Sequence, residues 1–240
     1  MEQAVERLVE PFLKVCDRAL GAGYSAVLHG SLVRGDYLPD WSDVNLLLIL
    51  DDTSPGRLQA LQGAFGAWAK AHEQPPLFMS REEWGRAADV FPIEITDIRS
   101  GYRVLRGADP MTGLTVRRSD LRAALERDLR GRLVRLRQGF AALSDDPGAL
   151  AVLLRDAAPS IVVLLRGALA LHGGPVPTTR AEAVRAAALA FGFAPDTLLD
   201  AVGHLADGRW TCPPEAFAGC LEAVEATVRF VDHLSIGDDS

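Results

Sequence analysis

The stretch from His29 to Leu50 (HGSLVRGDYLPDWSDVNLLLIL) holds the polar residues with the clearest chemical pattern in the chain. A small Gly30-Ser31 pair follows its first residue, and Asp43 and Asn45 stand two residues apart at the head of an apolar run. Successive side chains of a strand point to opposite faces, so the carboxylate and the amide share one face. Carboxylate and amide oxygens are ligands for hard cations such as Mg²⁺.

The Gly30-Ser31 pair has the chemistry of a phosphate contact. Gly30 has no Cβ, so the backbone there can approach a bound oxygen closely. Ser31 falls where a helix would begin, with free N–H groups and a hydroxyl that can donate to phosphate oxygens. Arg34 can add a charge-assisted hydrogen bond, although its position fits a charge in a solvated loop equally well. A plain tight turn with a helix cap is the alternative interpretation of the pair.

Strands are predicted only in the first half of the chain, and they must position these residues. The second strand has an apolar tail (LLLIL) typical of a strand that is buried on both faces. Five segments are predicted as strands: Tyr24–Leu28, Asp43–Leu50, Pro76–Met79, Phe91–Ile98 and Tyr102–Leu105.

From Ser119 onward the pattern predicts helices only, and five leucines of the first of them fall on one stripe: Leu121, Leu125, Leu129, Leu133 and Leu136. The loop Gly107–Leu114 separates the two halves. The fold class that we predict is therefore α+β, with a mixed sheet and flanking helices in residues 1–110 and an all-α helical bundle in residues 115–240.

Composition restricts the classes of partner. The net charge of −7 argues against nucleic acid as a general partner. No apolar run approaches the roughly 18 residues of a membrane span, so we expect no membrane partner. Cys16, Cys212 and Cys220 show no CxxC spacing and are odd in number. They are interpreted as reduced thiols of a cytoplasmic protein.

The Gly30-Ser31, Arg34-Gly35 and Ser42-Asp43-Val44-Asn45 motifs carry a family resemblance. In this order, ahead of an apolar strand, they resemble the signature of the nucleotidyltransferase superfamily. The pattern is most similar to the minimal and antibiotic-modifying nucleotidyltransferases, in which Gly-Ser precedes Asp-x-Asp by about a dozen residues. The resemblance covers roughly residues 20–110, and an all-helical second half is common in that group.

The resemblance implies an activity and a site. The expected reaction transfers a nucleoside monophosphate from an NTP, with ATP as the expected donor, to a hydroxyl of a small molecule or a protein. Gly30, Ser31 and Arg34 would hold the triphosphate. Asp43 would be the main ligand of Mg²⁺ (or Mn²⁺) and Asn45 an auxiliary ligand.

The family also needs a third carboxylate from a neighbouring strand, and FPIEITDI offers two. If this segment is a strand, Ile93 and Ile95 face the core and Glu94 faces away from it. Glu94 is therefore our candidate for a third metal ligand or for the base that activates the acceptor. Asp97, at the strand end, is the alternative, and a solvated Glu94 on an edge strand is the non-catalytic interpretation.

Asn45 departs from the family pattern, because it replaces the second acid of Asp-x-Asp. Its carbonyl oxygen can ligate a cation but brings no negative charge, so cation affinity should fall. Two hypotheses follow. The enzyme works with the single Mg²⁺ of its nucleotide, or catalysis is lost and the fold serves as a nucleotide-sensing or protein-interaction module.

Between Arg99 and Arg137, eleven arginines face four acids, which makes this segment +7 in an acidic chain. Four of these arginines are candidates to clamp a triphosphate or an acidic acceptor, or else form a solvated face that pairs with acids: Arg118, Arg122, Arg130 and Arg137. The very apolar helix Ala149–Leu171 fits either a core or a homodimer interface.

Overall fold

The computed structural model describes residues 5–39, 41–70 and 74–234. The chain divides into two compact units, Met1–Val90 with Gly101–Thr115 and Phe91–Ser100 with Val116–Ser240. We call the first the α/β unit and the second the helical unit. The segment Phe91–Ser100, which the sequence pattern places in the first domain, packs with the helical unit.

One mixed sheet lies in the described part of the α/β unit. Its strands are β1 (Tyr24–His29), β2 (Asn45–Leu50), β3 (Leu77–Ser80) and β4 (Tyr102–Arg106). The order across the sheet is β3-β2-β1-β4. Strand β1 is antiparallel to β2 and β4, and β2 is parallel to β3. The mixed sheet followed by a helical region confirms the predicted fold class.

The core of the α/β unit lies on one face of this sheet. The helix α1 (Glu10–Leu20) follows a π-helical segment, Val5–Val9, and buries Phe12, Leu13 and Cys16 in the same cluster as Leu46 and Leu48 of β2. Because side chains alternate along a strand, Asn45 lies on the face opposite this core.

Short helices connect the strands of this unit. They are α2 (Ser31–Arg34), α3 (Pro55–Gln59), α4 (Phe65–Lys70), α5 (Arg81–Gly85) and α6 (Ala87–Val90). Helix α5 begins with a capping box, in which the Ser80 hydroxyl accepts from the Glu83 N–H at 3.1 Å and the Glu83 carboxylate accepts from the Ser80 N–H at 2.6 Å.

The predicted strand Phe91–Ile98 is wrong, because the segment forms the helix α7 (Pro92–Arg99). Pro92 stands in the first helical turn, where its missing N–H costs nothing. Ile95 and Ile98 lie three residues apart and are buried, as in a helix that packs along one side. The β-branched residues suggested a strand, but packing against the neighbouring helices determines the conformation.

The helical unit continues with α8 (Arg118–Leu143), α9 (Pro147–His172), α10 (Arg180–Phe191), α11 (Asp196–Gly203) and α12 (Pro214–His233). All five leucines of the predicted stripe on α8 are buried, which confirms it as a core face.

Helix α9 is long and apolar enough to cross a membrane by length and composition, but half of its most apolar window is buried within the protein. Core helices of globular proteins pass the same test, so α9 gives only weak support for a membrane span.

Candidate functional site

The Gly30-Ser31 turn forms as the sequence predicts. Gly30 ends β1 with φ +80°, and its carbonyl accepts from the N–H groups of Val33 and Arg34 at 3.1 Å each, which starts α2. A Cβ added at Gly30 would lie 2.5 Å from Nδ2 of Asn45. Glycine is therefore required here twice, by the left-handed backbone and by the close approach of Asn45.

The sheet register explains why Asn45 reaches this turn. In the antiparallel pairing, Asn45 at the start of β2 stands opposite His29 at the end of β1. His29 stands opposite Tyr102 on β4 as well. Paired residues point to the same face, so Asn45, His29 and Tyr102 form a polar row across the end of the sheet.

Tyr102 was missed by the sequence analysis, and His29 carries no motif of its own. Tyr102 donates a hydrogen bond from its hydroxyl to Asp109 at 2.9 Å. Only the strand register could have indicated Tyr102, because it is a single polar residue at a strand end, whereas His29 stands directly beside Gly30 in the sequence.

Asp43 lies in the chain just before β2, and not inside the strand as predicted. Its neighbours Ser42 and Val44 are buried, whereas Asp43 is exposed. The Ser42 hydroxyl accepts from the Leu38 N–H at 3.0 Å, and the Ser42 N–H donates to the Leu38 carbonyl at 2.8 Å. The backbone before Asp43 is thus anchored through Ser42, while the Asp43 carboxylate remains open to a ligand.

Arg34 is buried, so its interpretation as a solvated loop charge is wrong. A Cβ added at Gly101 would lie 2.8 Å from Cγ of Arg34. The aliphatic part of the side chain therefore packs on the glycine that precedes β4. Burial of an arginine stem leaves its guanidinium less free to move, which suits a fixed anion contact.

Glu94 lies on α7 and is exposed. The strand argument that selected it over Asp97 no longer applies, but a different observation separates the two acids. Asp97 is only 14% exposed and forms an ion pair of 3.5 Å with Arg166, which is 2% exposed. Arg166 also donates to the backbone carbonyls of Pro177 and Thr178 at 3.2 and 2.5 Å. Asp97 thus balances a buried charge, and Glu94 stays the freer carboxylate.

The four arginines selected on α8 are bound within the helical unit. Arg118 donates to the Leu171 carbonyl and Arg122 to the Asp232 carbonyl, at 2.6 and 3.0 Å. Arg130 pairs with Asp232 at 2.7 Å and Arg137 with Glu225 at 2.8 Å. These contacts support the alternative of a paired face and not a clamp for a triphosphate.

A second charged cluster lies at the other end of β1. Tyr24 donates to Asp17 at 2.5 Å, and Arg106 of β4 pairs with Asp17 and Glu10 at 3.3 and 3.0 Å. Burial and the Asp17 carboxylate raise the pKa of Tyr24. The cluster joins α1 to β1 and β4, which is a structural role.

The three cysteines are buried as free thiols. Burial raises the pKa of Cys16 to about 12 and that of Cys212 to about 11. Thiols with such a pKa stay protonated at neutral pH and are poor nucleophiles. The cytoplasmic location inferred from them stays a prediction.

The structure restricts which cation the candidate donors can hold. Within residues 5–39, 41–70 and 74–234, no three His, Cys, Asp or Glu side chains come close enough together to hold a metal ion. The Asp43 carboxylate and the Asn45 amide remain as oxygen donors. They fit a single hard cation that is also bound by a phosphate, and they do not fit a two-metal carboxylate cluster.

Residues 9–91 match the family described as nucleotidyltransferase domain. The matched segment contains Gly30, Ser31, Arg34, Asp43 and Asn45 and ends before Glu94. It confirms the resemblance to the nucleotidyltransferase superfamily that the motifs indicated.

A solved structure with a similar fold is spectinomycin adenyltransferase AAD(9) from Enterococcus faecialis, determined with ATP and spectinomycin. The similarity covers 95% of this chain and 99% of that chain, with a TM-score of 0.59 and 12% sequence identity. At this identity the likeness shows the fold alone. No curated protein sequence matches the chain.

Proposed function

We propose that this chain transfers a nucleoside monophosphate from a nucleoside triphosphate to a hydroxyl group of a small molecule or a protein. The observation that carries the proposal is the approach of Asn45 to the Gly30 turn, inside a segment that matches the nucleotidyltransferase domain family. ATP is our candidate donor, because the similar fold was solved with ATP.

The residues of the α/β unit would bind the donor. The Gly30 turn and the Ser31 hydroxyl would bind the triphosphate, with the hydroxyl donating to a phosphate oxygen. Arg34 would add a positive charge beside it. Asp43 and Asn45 would ligate the Mg²⁺ or Mn²⁺ that the nucleotide brings. Such an ion neutralises part of the negative charge of the triphosphate, so fewer positive side chains are needed from the protein.

The chemical step moves one group and one proton. The acceptor hydroxyl oxygen forms a bond to the α-phosphorus of the NTP, and the bond from that phosphorus to the bridging oxygen of the β-phosphate breaks. Pyrophosphate leaves with the bonding electrons. Glu94, with an exposed carboxylate, is our candidate for the base that takes the hydroxyl proton.

The first test is calorimetric titration of the four NTPs into the full chain, with and without Mg²⁺. Asp43→Asn removes the only carboxylate of the proposed donor set and is expected to weaken NTP binding by at least about tenfold when Mg²⁺ is present. Asp89→Asn is the matched control, since Asp89 is also an exposed acid of the α/β unit. Equal binding by the two variants would contradict the assignment of Asp43.

A second candidate function is a catalytically degenerate module that senses nucleotide or binds a partner. Asn45 favours it, as does the absence of a three-acid cluster within the described residues. This alternative predicts no pyrophosphate release in a screen of hydroxyl acceptors, and no Mg²⁺ dependence of any NTP binding. The predicted homodimer stays a prediction.

A further inference from the structure

A cavity of about 450 Å³ lies within the helical unit, among α7, α8 and α9. This volume is in the range that holds a small molecule. We call it the arginine cavity, because three of its lining residues are arginines of α8. Its polar side chains are Glu94, Arg127, Asp128, Arg132, Arg135 and Ser160.

Not all of the charged side chains that line the arginine cavity form an ion pair. Arg127 pairs with Asp128 at 2.9 Å, so these two balance each other. Neither Arg132 nor Arg135 has a hydrogen bond or an ion pair of 4 Å or less among the residues that the structure describes, and the Nε of Arg132 is buried. They differ in this from Arg130 and Arg137 on the same helix, which pair with acids of α12.

The two unpaired arginines also act on each other. The guanidinium of Arg135 lies over Gly131, with its nitrogens 3.7 and 3.9 Å from where a Cβ would stand there. Burial lowers the pKa of Arg132 most, and the charge of Arg135 lowers it further. The Asp128 carboxylate raises this pKa by a smaller amount. Two guanidinium groups that line one cavity repel each other, and a bound anion relieves both this repulsion and the lost hydration of Arg132.

We propose that the arginine cavity binds a small molecule with a phosphate or carboxylate group, and that Arg132 and Arg135 hold this group. The anion at the arginines would anchor the molecule.

The test measures inorganic phosphate binding to the full chain by calorimetry at low ionic strength, without nucleotide. Wild type is expected to bind one phosphate saturably. Arg132→Gln and Arg135→Gln should each weaken it at least about tenfold. Arg137→Gln, which removes the same charge from the same helix outside the cavity, should leave it within about twofold. Glu94→Gln should tighten binding about two- to fivefold, because a repelling charge is removed from the cavity.

Loss of binding in Arg137→Gln to the same extent as in Arg132→Gln would show a general charge effect and overturn the proposal. So would the lack of saturable binding in wild type. Circular dichroism of each variant checks that the helices are retained. If Arg132→Gln unfolds, the phosphate response of Arg135→Gln and Glu94→Gln decides instead.

A second arm separates a small-molecule ligand from the NTP as the source of the anion. Saturating ATP with Mg²⁺ should leave phosphate binding at Arg132 in place. If ATP displaces this phosphate, the arginines hold the nucleotide and the proposal of a separate ligand is wrong. Failure of the proposed function appears differently, as phosphate bound at Arg132 in a chain that binds no NTP.

Discussion

Different physical interactions determine the turn at Gly30 and the arginine cavity. At Gly30 the determinants are steric: a left-handed glycine, an amide at its surface and an exposed carboxylate nearby, with little charge. In the arginine cavity the determinants are electrostatic, since Arg132 and Arg135 form no ion pair among the described residues, although Glu94 and Asp128 line the same cavity. Short-range motifs can encode the first kind of site, whereas the second kind needs helices packed in three dimensions. The following predictions test this contrast, beginning with the largest effect.

Asp97→Ala should destabilise the helical unit by about 3 kcal/mol, because it removes the carboxylate that pairs with the buried Arg166. Chemical denaturation followed by circular dichroism measures the free energy of unfolding. Asp156→Ala, at an exposed acid of α9, is the control and should change it little. If the two variants are equally stable, the Asp97–Arg166 pair is not a structural determinant, and Asp97 returns as a candidate site residue.

Gly30→Ala should lower the free energy of unfolding more than Gly35→Ala does. Both glycines have positive φ, of +80° and +84°, but only Gly35 is left-handed helical, with strain of about 1–2 kcal/mol in an Ala variant. Gly30, with ψ of −157°, lies in a region that is nearly restricted to glycine, so the backbone strain of Gly30→Ala is larger, up to about 3 kcal/mol. A Cβ at Gly35 meets nothing within 4 Å, whereas at Gly30 it meets Asn45. We expect a further cost of about 1 kcal/mol for Gly30→Ala, which should disappear when both variants are made in an Asn45→Ala background. An unchanged difference in that background would mean that Asn45 is not the cause.

Asn45→Asp should strengthen Mg²⁺-dependent NTP binding on the order of tenfold, because it adds a second carboxylate beside Asp43. Calorimetric titration of MgATP into wild type and variant measures this gain. A variant that binds no better would indicate that Asn45 does not contact the ion. The sparse charge at the Gly30 turn would then be unrelated to metal binding.

The described part of each unit also contains a capping box, so the smallest effect can be compared directly between the units. Ser80→Ala and Thr179→Ala should each cost about 1 kcal/mol. In both boxes the hydrogen bonds of the cap lower the pKa of its glutamate, Glu83 or Glu182. A carboxylate whose pKa is lower in the folded state stabilises it at neutral pH, and this contribution is lost as the pH falls below 4.5, the ordinary glutamate value.

Denaturation curves from pH 7 to pH 3 measure this loss. The stability difference between wild type and each Ala variant should shrink towards acid in both units. Glu83→Gln and Glu182→Gln should remove most of the pH dependence of their own box. A constant difference across this pH range would contradict the role of the two glutamates.

Local pattern was enough to predict parts of both units. The buried strand β2 and the leucine stripe of α8 follow from spacing and side-chain type, because each depends on neighbours along the chain. The Gly30-Ser31 turn belongs to the same group, since a positive φ and a helix start are local properties.

The wrong predictions involve contacts between distant residues. Phe91–Ile98 has the β-branched content of a strand, but burial of its apolar side against α8 and α9 makes it a helix. The sequence pattern allowed Arg34 to be a charge in a solvated loop. In the structure its side chain packs on Gly101, which is distant in the sequence.

The arginines show the same limit. Spacing on α8 selected Arg118, Arg122, Arg130 and Arg137, which are bound by carbonyls or acids of α9 and α12. Gly131 was the one local signal for the arginine cavity, because a glycine inside a long helix costs about 1 kcal/mol and leaves space beside it.

The sequence by itself therefore determined the nucleotidyltransferase-like turn, the donor types at positions 43 and 45, and the helical character of the second half. These depend on backbone preferences and on side-chain chemistry that each residue carries with it. Only the tertiary structure decided which charges are neutralised, because that depends on the acids and carbonyls that folding brings within hydrogen-bond distance. Arg132 and Arg137 are alike in the sequence, and they differ because folding gives an acid to only one of them.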